Sequence, residues 1–580
     1  MKQFWASPFP RSRYLIAVLA GLLLAASFPK ICFAGLAWVA PALMLAAALG
    51  KTGWESFRIG YIAGLAYYLA SLYWLLLIPY RWHSIPLGPA AGWLSLSAYL
   101  ALYPATWVWL LSRRGPFAPT DGQGLRSSAH TEESAKVLGL RSLAHGEGVM
   151  ARGWTRRTLW AISGAVFWVA LEMIVTRLFT GFPWNLLGAS QFELTPLIQI
   201  ASVTGVHGVS FLIVWSSLSL LSAGLMLVLR PTTRSTWAGE IILPVIVVAA
   251  VLHFGFRQLA RDHAPDRTLK VTLVQPSIPQ TLIWDTSRDQ QRFRDLIGLS
   301  EQALTNRTDL LIWPEAGVPS FARWDTNIYP AITNLVRQHR VWLLLGSDDL
   351  GRPTQPAHPD DLEYYNASFL VSPDGEFVSR YIKRKLVIFG EYIPLVRWLP
   401  FFKWFTPIGG GFTPGDRPIP FTLTTPDVKA SPLICFEDTF PLTAREAADE
   451  DSDFLVNLTN NGWFGESAAQ WQHAASALFR AVENGRPLIR CSNNGLTGWV
   501  DSHGRLRQVF RDAQGTIYGP GFLTIEVPLF SPGQSPPPTP YNRHGDCFGW
   551  TCVALTAVIL LVRFLRRQRP HRPASNPTKS

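Results

Sequence analysis

The sequence predicts a two-part protein: a polytopic α-helical membrane region of about eight spans, and an α/β domain inserted before the last span. Three observations predict it. Hydrophobic residues make up 48% of the 580 and charged residues only 16%, against roughly 25% charged in a typical soluble chain. Apolar stretches long enough for a bilayer core, about 20 residues each, fill the first 256 positions and recur near the end. Between them lie short apolar runs alternating with amphipathic stretches, the pattern of covered sheets in an α/β domain.

The predicted spans are 14–29, 31–50, 59–80, 89–111, 158–178, 204–229, 239–256 and 547–565. Only Pro29 and Lys30 separate the first two, which therefore read as a tight helical hairpin. Glu172 in the fifth span is costly in lipid and is expected to face protein. No cleaved signal peptide is expected, because spans follow one another without a processing site.

Charge gives the topology. With a cytoplasmic N-terminus, the inner set runs from Lys2, Arg11 and Arg13 through Lys51, Arg58, the 113–157 loop, Arg230 and Arg234 to the tail after Arg563. It holds 21 Lys and Arg, against Lys30, Arg81 and Arg177 in the short outer loops. That is a strong positive-inside bias. It accounts for much of the net charge of +12 without a nucleic-acid partner. The expected organisation is a membrane domain over 1–256 with seven spans and a cytoplasmic loop at 115–156, then an exported domain over 257–531. A Pro-rich linker (532–546), the last span (547–565) and a basic cytoplasmic tail (566–580) follow. The linker, PGQSPPPTPYNRHGD, reads as a stiff, extended tether.

Within the exported block, Leu269–Val274, Leu310–Trp313, Trp342–Leu345, Leu433–Cys435 and Phe454–Leu458 read as buried strands. Residues 288–305, 327–340 and 468–484 read as helices between them. The aromatic run 392–416 ends in Gly409–Gly411 and reads as a membrane-facing lid with a glycine hinge; Arg397 and Lys403 on it suit phospholipid headgroups.

Of the five cysteines, Cys32, Cys547 and Cys552 lie in or beside apolar segments, where small-residue packing is the usual role. None has metal-site spacing, so neither a metal nor a cofactor is expected. A Cys435–Cys491 disulfide is conceivable in an exported domain, but a free thiol at Cys435 is the preferred reading. Cys435 ends an apolar strand in SPLICFED, the kind of position where ligands gather in α/β folds. Glu315 follows the strand of LLIWPEAG, and Lys383 lies in RYIKRKLVIFGEYIP. Taken singly, these are a packed cysteine, a turn acid and an ordinary strand lysine. Together they suit acyl transfer: a carboxylate base frees the thiolate nucleophile, and an ammonium stabilises the oxyanion. Glu437 would share the face of Cys435 if its strand continued. His473 and Trp471 read as packing residues of a helix, and Asn493 and Asn494 as turn residues.

Several long stretches carry a family resemblance. They are VQPSIPQTLIWD, LLIWPEAGVP, YYNASFL, YIKRKLVIFGEYIPL, ICFED and NLTNNGWFGESAAQWQHAASALFRAVENGRPLIRCSNNG, with TGFPWNLLGASQ in the membrane region. Residues 268–528 resemble a carbon–nitrogen hydrolase (nitrilase) domain, and the whole chain resembles the apolipoprotein N-acyltransferase family. The resemblance implies an αββα sandwich, with Glu315 as general base, Lys383 as oxyanion-stabilising residue and Cys435 as nucleophile. It also implies that Glu391 supports the site, that Glu437 lies close, and that Trp284 and Phe436 meet substrate. The chain departs from the family at Ile388, commonly Pro, at Phe436, often Tyr, and at Cys491, usually not a cysteine. The implied reaction moves an acyl chain from a phospholipid donor (phosphatidylethanolamine, sn-1 chain), through a thioester, to the α-amine of a diacylglyceryl-cysteine lipoprotein acceptor. The implied place is the inner membrane, as a monomer with a periplasmic catalytic domain. Two rivals stay open. A membrane-tethered amidase needs the same three residues but neither a lipid-facing lid nor TGFPWNLLGASQ, and a non-catalytic lipid-binding scaffold needs no intact Glu315, Lys383 and Cys435.

Overall fold

The computed structural model describes residues 10–51, 53–79, 87–112, 153–229, 237–261, 265–283, 285–352, 362–396, 398–399, 411–531 and 534–568. The first half is helical: α1 (Pro10–Ala26), α2 (Ala40–Ala47), α3 (Gly53–Ser71), α4 (Gly88–Leu100), α5 (Leu102–Ser112), α6 (Trp154–Val175), α7 (Val206–Leu229) and α8 (Ala238–Leu259). Among the described residues five helical stretches are long and apolar enough to cross a membrane: Gly88–Ser112, Trp154–Val175, Val206–Val228, Ala238–Leu259 and Cys547–Leu565. Of the other three predicted spans, 14–29 lies mostly in the 17-residue α1, and 59–80 in the 19-residue α3 with a 3₁₀ turn (Tyr73–Leu77) after it. The stretch 31–50, expected as one helix of a hairpin, is a 3₁₀ turn (Ala34–Trp38) followed by the eight-residue α2. Pro41 stands in the first turn of α2, where a missing N–H does no harm and a longer helix through it would lose a bond. Glu172 faces protein as expected. Its carboxylate accepts from Trp168 Nε1 (3.0 Å), Ser210 Oγ (3.1 Å) and the backbone N–H of Leu187 (2.9 Å).

The second half is an αββα sandwich. Its strands are β1 (Arg267–Gln275), β2 (Leu310–Ile312), β3 (Trp342–Gly351), β4 (Glu363–Val371), β5 (Phe377–Ile382), β6 (Phe421–Thr424), β7 (Asp427–Ile434), β8 (Phe454–Thr459), β9 (Leu488–Ser492), β10 (Gly498–Val500), β11 (Leu506–Val509) and β12 (Gly521–Leu529). One six-stranded sheet has the order β12-β1-β2-β3-β4-β5 and the other β11-β10-β9-β8-β7-β6. At the centre of each sheet the pairing is parallel, β1 with β2 and β2 with β3, then β7 with β8 and β8 with β9. Those strands are mostly apolar because both of their faces are covered. Val271, Leu310, Leu344, Ile434, Val456 and Ile489 meet between the sheets. Each wholly buried aliphatic side chain there contributes about 1.5–3 kcal/mol.

The outer faces are covered differently. Helices α9 (Asp289–Ala303) and α10 (Ile328–His339) cover the first sheet, through Leu296, Ile332 and Val336. Helices α11 (Pro441–Ala447) and α12 (Ala469–Asn484) cover the second, and their apolar faces run into one cluster with the membrane helices. The 532–546 stretch, expected as an extended tether, includes the short α13 (Pro540–His544). Arg445 on α11 donates to the carbonyl of Asn542 at 2.7 Å, and Tyr541 is wholly buried. The final span, α14 (Cys547–Gln568), follows at once.

One amide on α12 joins the two halves. Gln472 Oε1 accepts from Trp74 Nε1 (3.0 Å) and Trp184 Nε1 (2.9 Å), while its Nε2 donates to the carbonyls of Pro29 (2.8 Å) and Ser71 (3.1 Å). Both lone pairs and both protons are thus used, and three separate membrane segments converge on it. Trp184 belongs to the TGFPWNLLGASQ stretch. Replacing Gln472 by Ala orphans two indole N–H groups and two carbonyls, each worth about 1–3 kcal/mol when buried. Gln472→Ala is expected to lower the thermal midpoint of the detergent-solubilised protein by roughly 5–10 °C; an unchanged midpoint would show that the junction is held by apolar packing alone.

Candidate active site

The turn after β2 brings Glu315 inward. Leu310–Ile312 and Trp313 are fully buried, so the chain leaves the sheet only at Pro314. Ala316 then takes a left-handed φ of +53°, an uncommon conformation for a residue with a Cβ. The turn lies against β3 at Gly346, where any Cβ would sit 2.7 Å from the Pro314 carbonyl and 2.8 Å from Glu315 Cα. Glycine is required there by close approach.

Lys383, one residue past β5, is only 1% exposed. Its Nζ donates to Glu315 Oε1 at 3.0 Å and to Glu391 Oε1 at 2.7 Å. Asn366 on β4 bridges the same two carboxylates, its Nδ2 lying 2.8 Å from Glu315 and 3.0 Å from Glu391. The remaining oxygens accept backbone N–H groups, Asn460 for Glu315 (2.9 Å) and Val387 for Glu391 (2.8 Å). Burial alone would favour a neutral amine, but the two carboxylates outweigh it and hold the Lys383 ammonium well above the usual lysine range.

Cys435 begins the 3₁₀ turn Cys435–Thr439 that ends β7. It is half-buried, with a left-handed φ of +55°. Such strain persists only where surrounding contacts impose it; here Asn457 Nδ2 grips the Cys435 carbonyl at 2.7 Å. Burial first, then the neighbouring Glu315, pushes the thiol up to about 12, and Lys383 only partly offsets them. The resting group is therefore a thiol. Cys491 is also free; it is fully buried and its Sγ donates to the carbonyls of Val274 and Ile312, away from any disulfide.

Glu437 does not share the face of Cys435 along a strand, because β7 stops at Ile434 and the chain turns. Its buried carboxylate instead ties two segments together. It accepts from Ile434 N (2.7 Å), Arg384 N (2.6 Å), Lys385 N (3.0 Å) and Tyr381 OH (2.9 Å). The Cys435–Thr439 turn and the Lys383 segment are thereby fixed to each other. Phe436 is half-buried, with the Lys383 ammonium 6.0 Å from its ring centre. His473 holds the far side of the turn: its Nε2 pairs with Asp438 (2.6 Å), which also meets Arg490. The structure thus gathers Glu315, Lys383, Glu391, Cys435, Phe436 and Glu437 in one place. Trp284 lies outside the described residues, as do Arg397 and residues 400–410, with Lys403 among them.

Sequence reasoning does not single out Asn366, Asn457 and Asn460, although YYNASFL and NLTNNG contain them. Their only advance signal is a polar residue inside or at the end of an otherwise apolar strand, which asks for a buried partner.

The comparisons with known proteins follow these two halves. The carbon-nitrogen hydrolase family model matches residues 270–519, and the apolipoprotein N-acyltransferase N-terminal domain model matches 20–130 and 133–219. An apolipoprotein N-acyltransferase of Geobacter metallireducens is 35% identical over 570 residues, 97% of each chain. The chain belongs to the apolipoprotein N-acyltransferase family. A relative from Rhizobium rhizogenes is 30% identical over 85% of this chain and 87% of its own, and one from Haemophilus influenzae 26% over 96% of both. Among solved structures, a nitrilase-superfamily amidase of Nesterenkonia covers 46% of this chain and 92% of its own, at 17% identity and a TM-score of 0.33. The family is one of enzymes, and the nitrilase-like half joined to apolar helices in this chain is its architecture.

Two outcomes follow from the site. Glu437→Gln, even with its oxygen kept on the Arg384 and Lys385 N–H groups, turns a donor toward the Ile434 N–H and removes the charge, and is expected to destabilise the protein by about 3–5 kcal/mol; a thermal midpoint within about 1 °C of wild type contradicts that role. Because the thiol is neutral at rest, alkylation of Cys435 by iodoacetamide is expected to rise about tenfold per pH unit between roughly pH 7 and 9.5. A plateau below about pH 8 would instead mean a resting thiolate.

Proposed function

We propose that this chain transfers an acyl chain from a glycerophospholipid, through a thioester on Cys435, to the N-terminal α-amine of a diacylglyceryl-cysteine lipoprotein. The supporting observation is the junction itself: Cys435, Lys383 and Glu315 meet in a domain whose outer face is continuous with apolar helices, in a family that spans the same full length. Glu315 takes the thiol proton as Cys435 attacks the ester carbonyl. Two of the three N–H groups of Lys383 are held by Glu315 and Glu391, which leaves the third for the developing oxyanion. Collapse of the tetrahedral intermediate returns the proton to the departing lysophospholipid oxygen. The acceptor amine then attacks the thioester, and Cys435 recovers its proton. Glu391 and Glu437 position Lys383 and the nucleophile turn, while Phe436 and Trp284 meet the lipid. Holding both substrates in a bilayer limits water, so aminolysis outruns hydrolysis.

The same reading places the chain in the inner membrane, with the catalytic domain periplasmic and both termini cytoplasmic. It divides the chain into seven spans over 1–256, the catalytic domain over 257–531, a linker over 532–546, an eighth span over 547–565 and a basic tail. The placement of basic groups supports it. Arg13, bonded to the carbonyl of Leu49 at 2.5 Å, and Arg157, paired with Glu240 at 2.5 Å, lie at the helix ends away from those that meet the α/β domain.

The test is intact-protein mass spectrometry after incubating purified enzyme with phosphatidylethanolamine. A hydroxylamine-sensitive adduct of one acyl chain is expected on wild type and absent from Cys435→Ser. Folded, reduced wild type that gains no adduct would exclude phospholipid as the acyl donor and favour hydrolysis of a small amide.

A further inference from the structure

A fourth carboxyl group, beside those of Glu315, Glu391 and Glu437, faces this site, and the mechanism above leaves it unused. Strand β3 presents alternate residues to opposite sides. Ser347 and Asp349 face outward: Ser347 bonds to the 320–322 segment, and Asp349 pairs with Arg323 (2.6 Å) and Arg380 (2.5 Å). Leu344 and Gly346 face inward, the first into the core between the sheets and the second against Glu315. Asp348 continues that inward row. Its Cα partner on β4 is Asn366, the residue whose amide bridges Glu315 and Glu391.

Asp348 differs from its neighbours in one respect. Glu315, Glu391 and Glu437 each have their oxygens occupied by protein donors. The half-buried carboxyl of Asp348 has no hydrogen-bond donor among the described residues. The charged groups around it are Glu315 on the β2 turn, Glu391 and Lys383 beyond β5, and Asp349 on its own strand. Lys383 is already shared by two carboxylates, so the site has an acid left over and lacks a cation to meet it. A primary ammonium supplies what is missing: one positive charge and protons to donate.

We propose that Asp348 receives the α-ammonium of the acceptor and removes one of its protons, making the amine that attacks the Cys435 thioester. This rests on the acyl-transfer reading given above. The balance is simple. The ammonium gives one proton to the Asp348 carboxylate, the free amine forms the C–N bond, and the C–S bond breaks. A second amine proton passes through Glu315 to the departing sulfur, and the third stays on the amide nitrogen. Asp348 then releases its proton to water. Burial, with Glu315 and Glu391 adding to it, lifts the Asp348 carboxyl to about 7, close to an α-amine at about 7.7–8.0. The two groups are therefore matched for transfer near neutral pH. The ammonium of a phosphatidylethanolamine headgroup shares this chemistry, but it is remote from the ester that reacts.

Single-turnover kinetics separate the cases. Thioester formation is followed with phosphatidylethanolamine and with phosphatidylglycerol, and transfer from the acylated enzyme is followed with a synthetic diacylglyceryl-cysteine peptide. Asp348→Asn is expected to slow transfer at least about 100-fold more than it slows thioester formation with either lipid, the lower end of the range for a lost general base. It should also remove the rise in transfer rate near neutral pH, and Asp348→Glu should recover most of both. Equal slowing of both half-reactions, or no change in either, overturns the proposal. Slowing confined to thioester formation from phosphatidylethanolamine assigns Asp348 to the headgroup instead and also overturns it. Wild type that forms no thioester at all fails the acyl-transfer reading itself, which is a distinct result from any of these.

Discussion

Lys383 carries a positive charge into a place where 1% of its side chain meets solvent, and the rest of the site is arranged around that charge. An unpaired ammonium so deeply buried would lose its proton. Glu315 and Glu391 prevent this, and Asn366 holds the two acids at the right spacing. Breaking such a pair by deleting one partner costs about 3–5 kcal/mol, because the other charge is left buried and alone. Each carboxylate also needs its own donors, which is why Asn460 and Val387 turn their backbone N–H groups inward. The ammonium thus dictates the path of four separate segments.

The same charge balance sets the state of the nucleophile. Two carboxylates against one ammonium leave the pocket with an excess of negative charge, and burial strengthens every such interaction. A thiolate at Cys435 would add to the excess, so the proton stays on sulfur in the resting site. A thiol is also less open to oxidation than a thiolate.

The helical half is more than an anchor for this chemistry. Gln472 binds three membrane segments, and the next residue, His473, grips Asp438 within the nucleophile turn. Membrane helices and catalytic turn therefore share one helix, α12, with a single residue step between their contacts. Neighbouring contacts repeat the pattern: Val206 N donates to Glu483 at 2.9 Å, and Arg177 pairs with Asp546. The catalytic domain is seated on the bundle by buried polar contacts as well as by apolar area, and such contacts fix one relative orientation where apolar area alone would allow several.

Local pattern in the sequence determined the helical region and the strands, and the family resemblance singled out Glu315, Lys383 and Cys435. Strands such as Phe454–Leu458 and helices such as 468–484 were legible because burial on both faces and a 3.6-residue period leave their mark within a few positions. Each of Glu315, Lys383 and Cys435 borders an apolar run, but singly they read as ordinary residues, and it was their combination and the long matching stretches around them that marked them. The break in 31–50 was less so, since composition reports that a segment is apolar and not that it is one helix. What only the tertiary structure decided is pairing at long range: Asn366 between two acids, Glu437 against the 381–385 stretch, Gln472 between two halves, Asp348 on the inward side of β3. A buried polar group takes its meaning from a partner that is dozens or hundreds of positions away, and no local period records that distance.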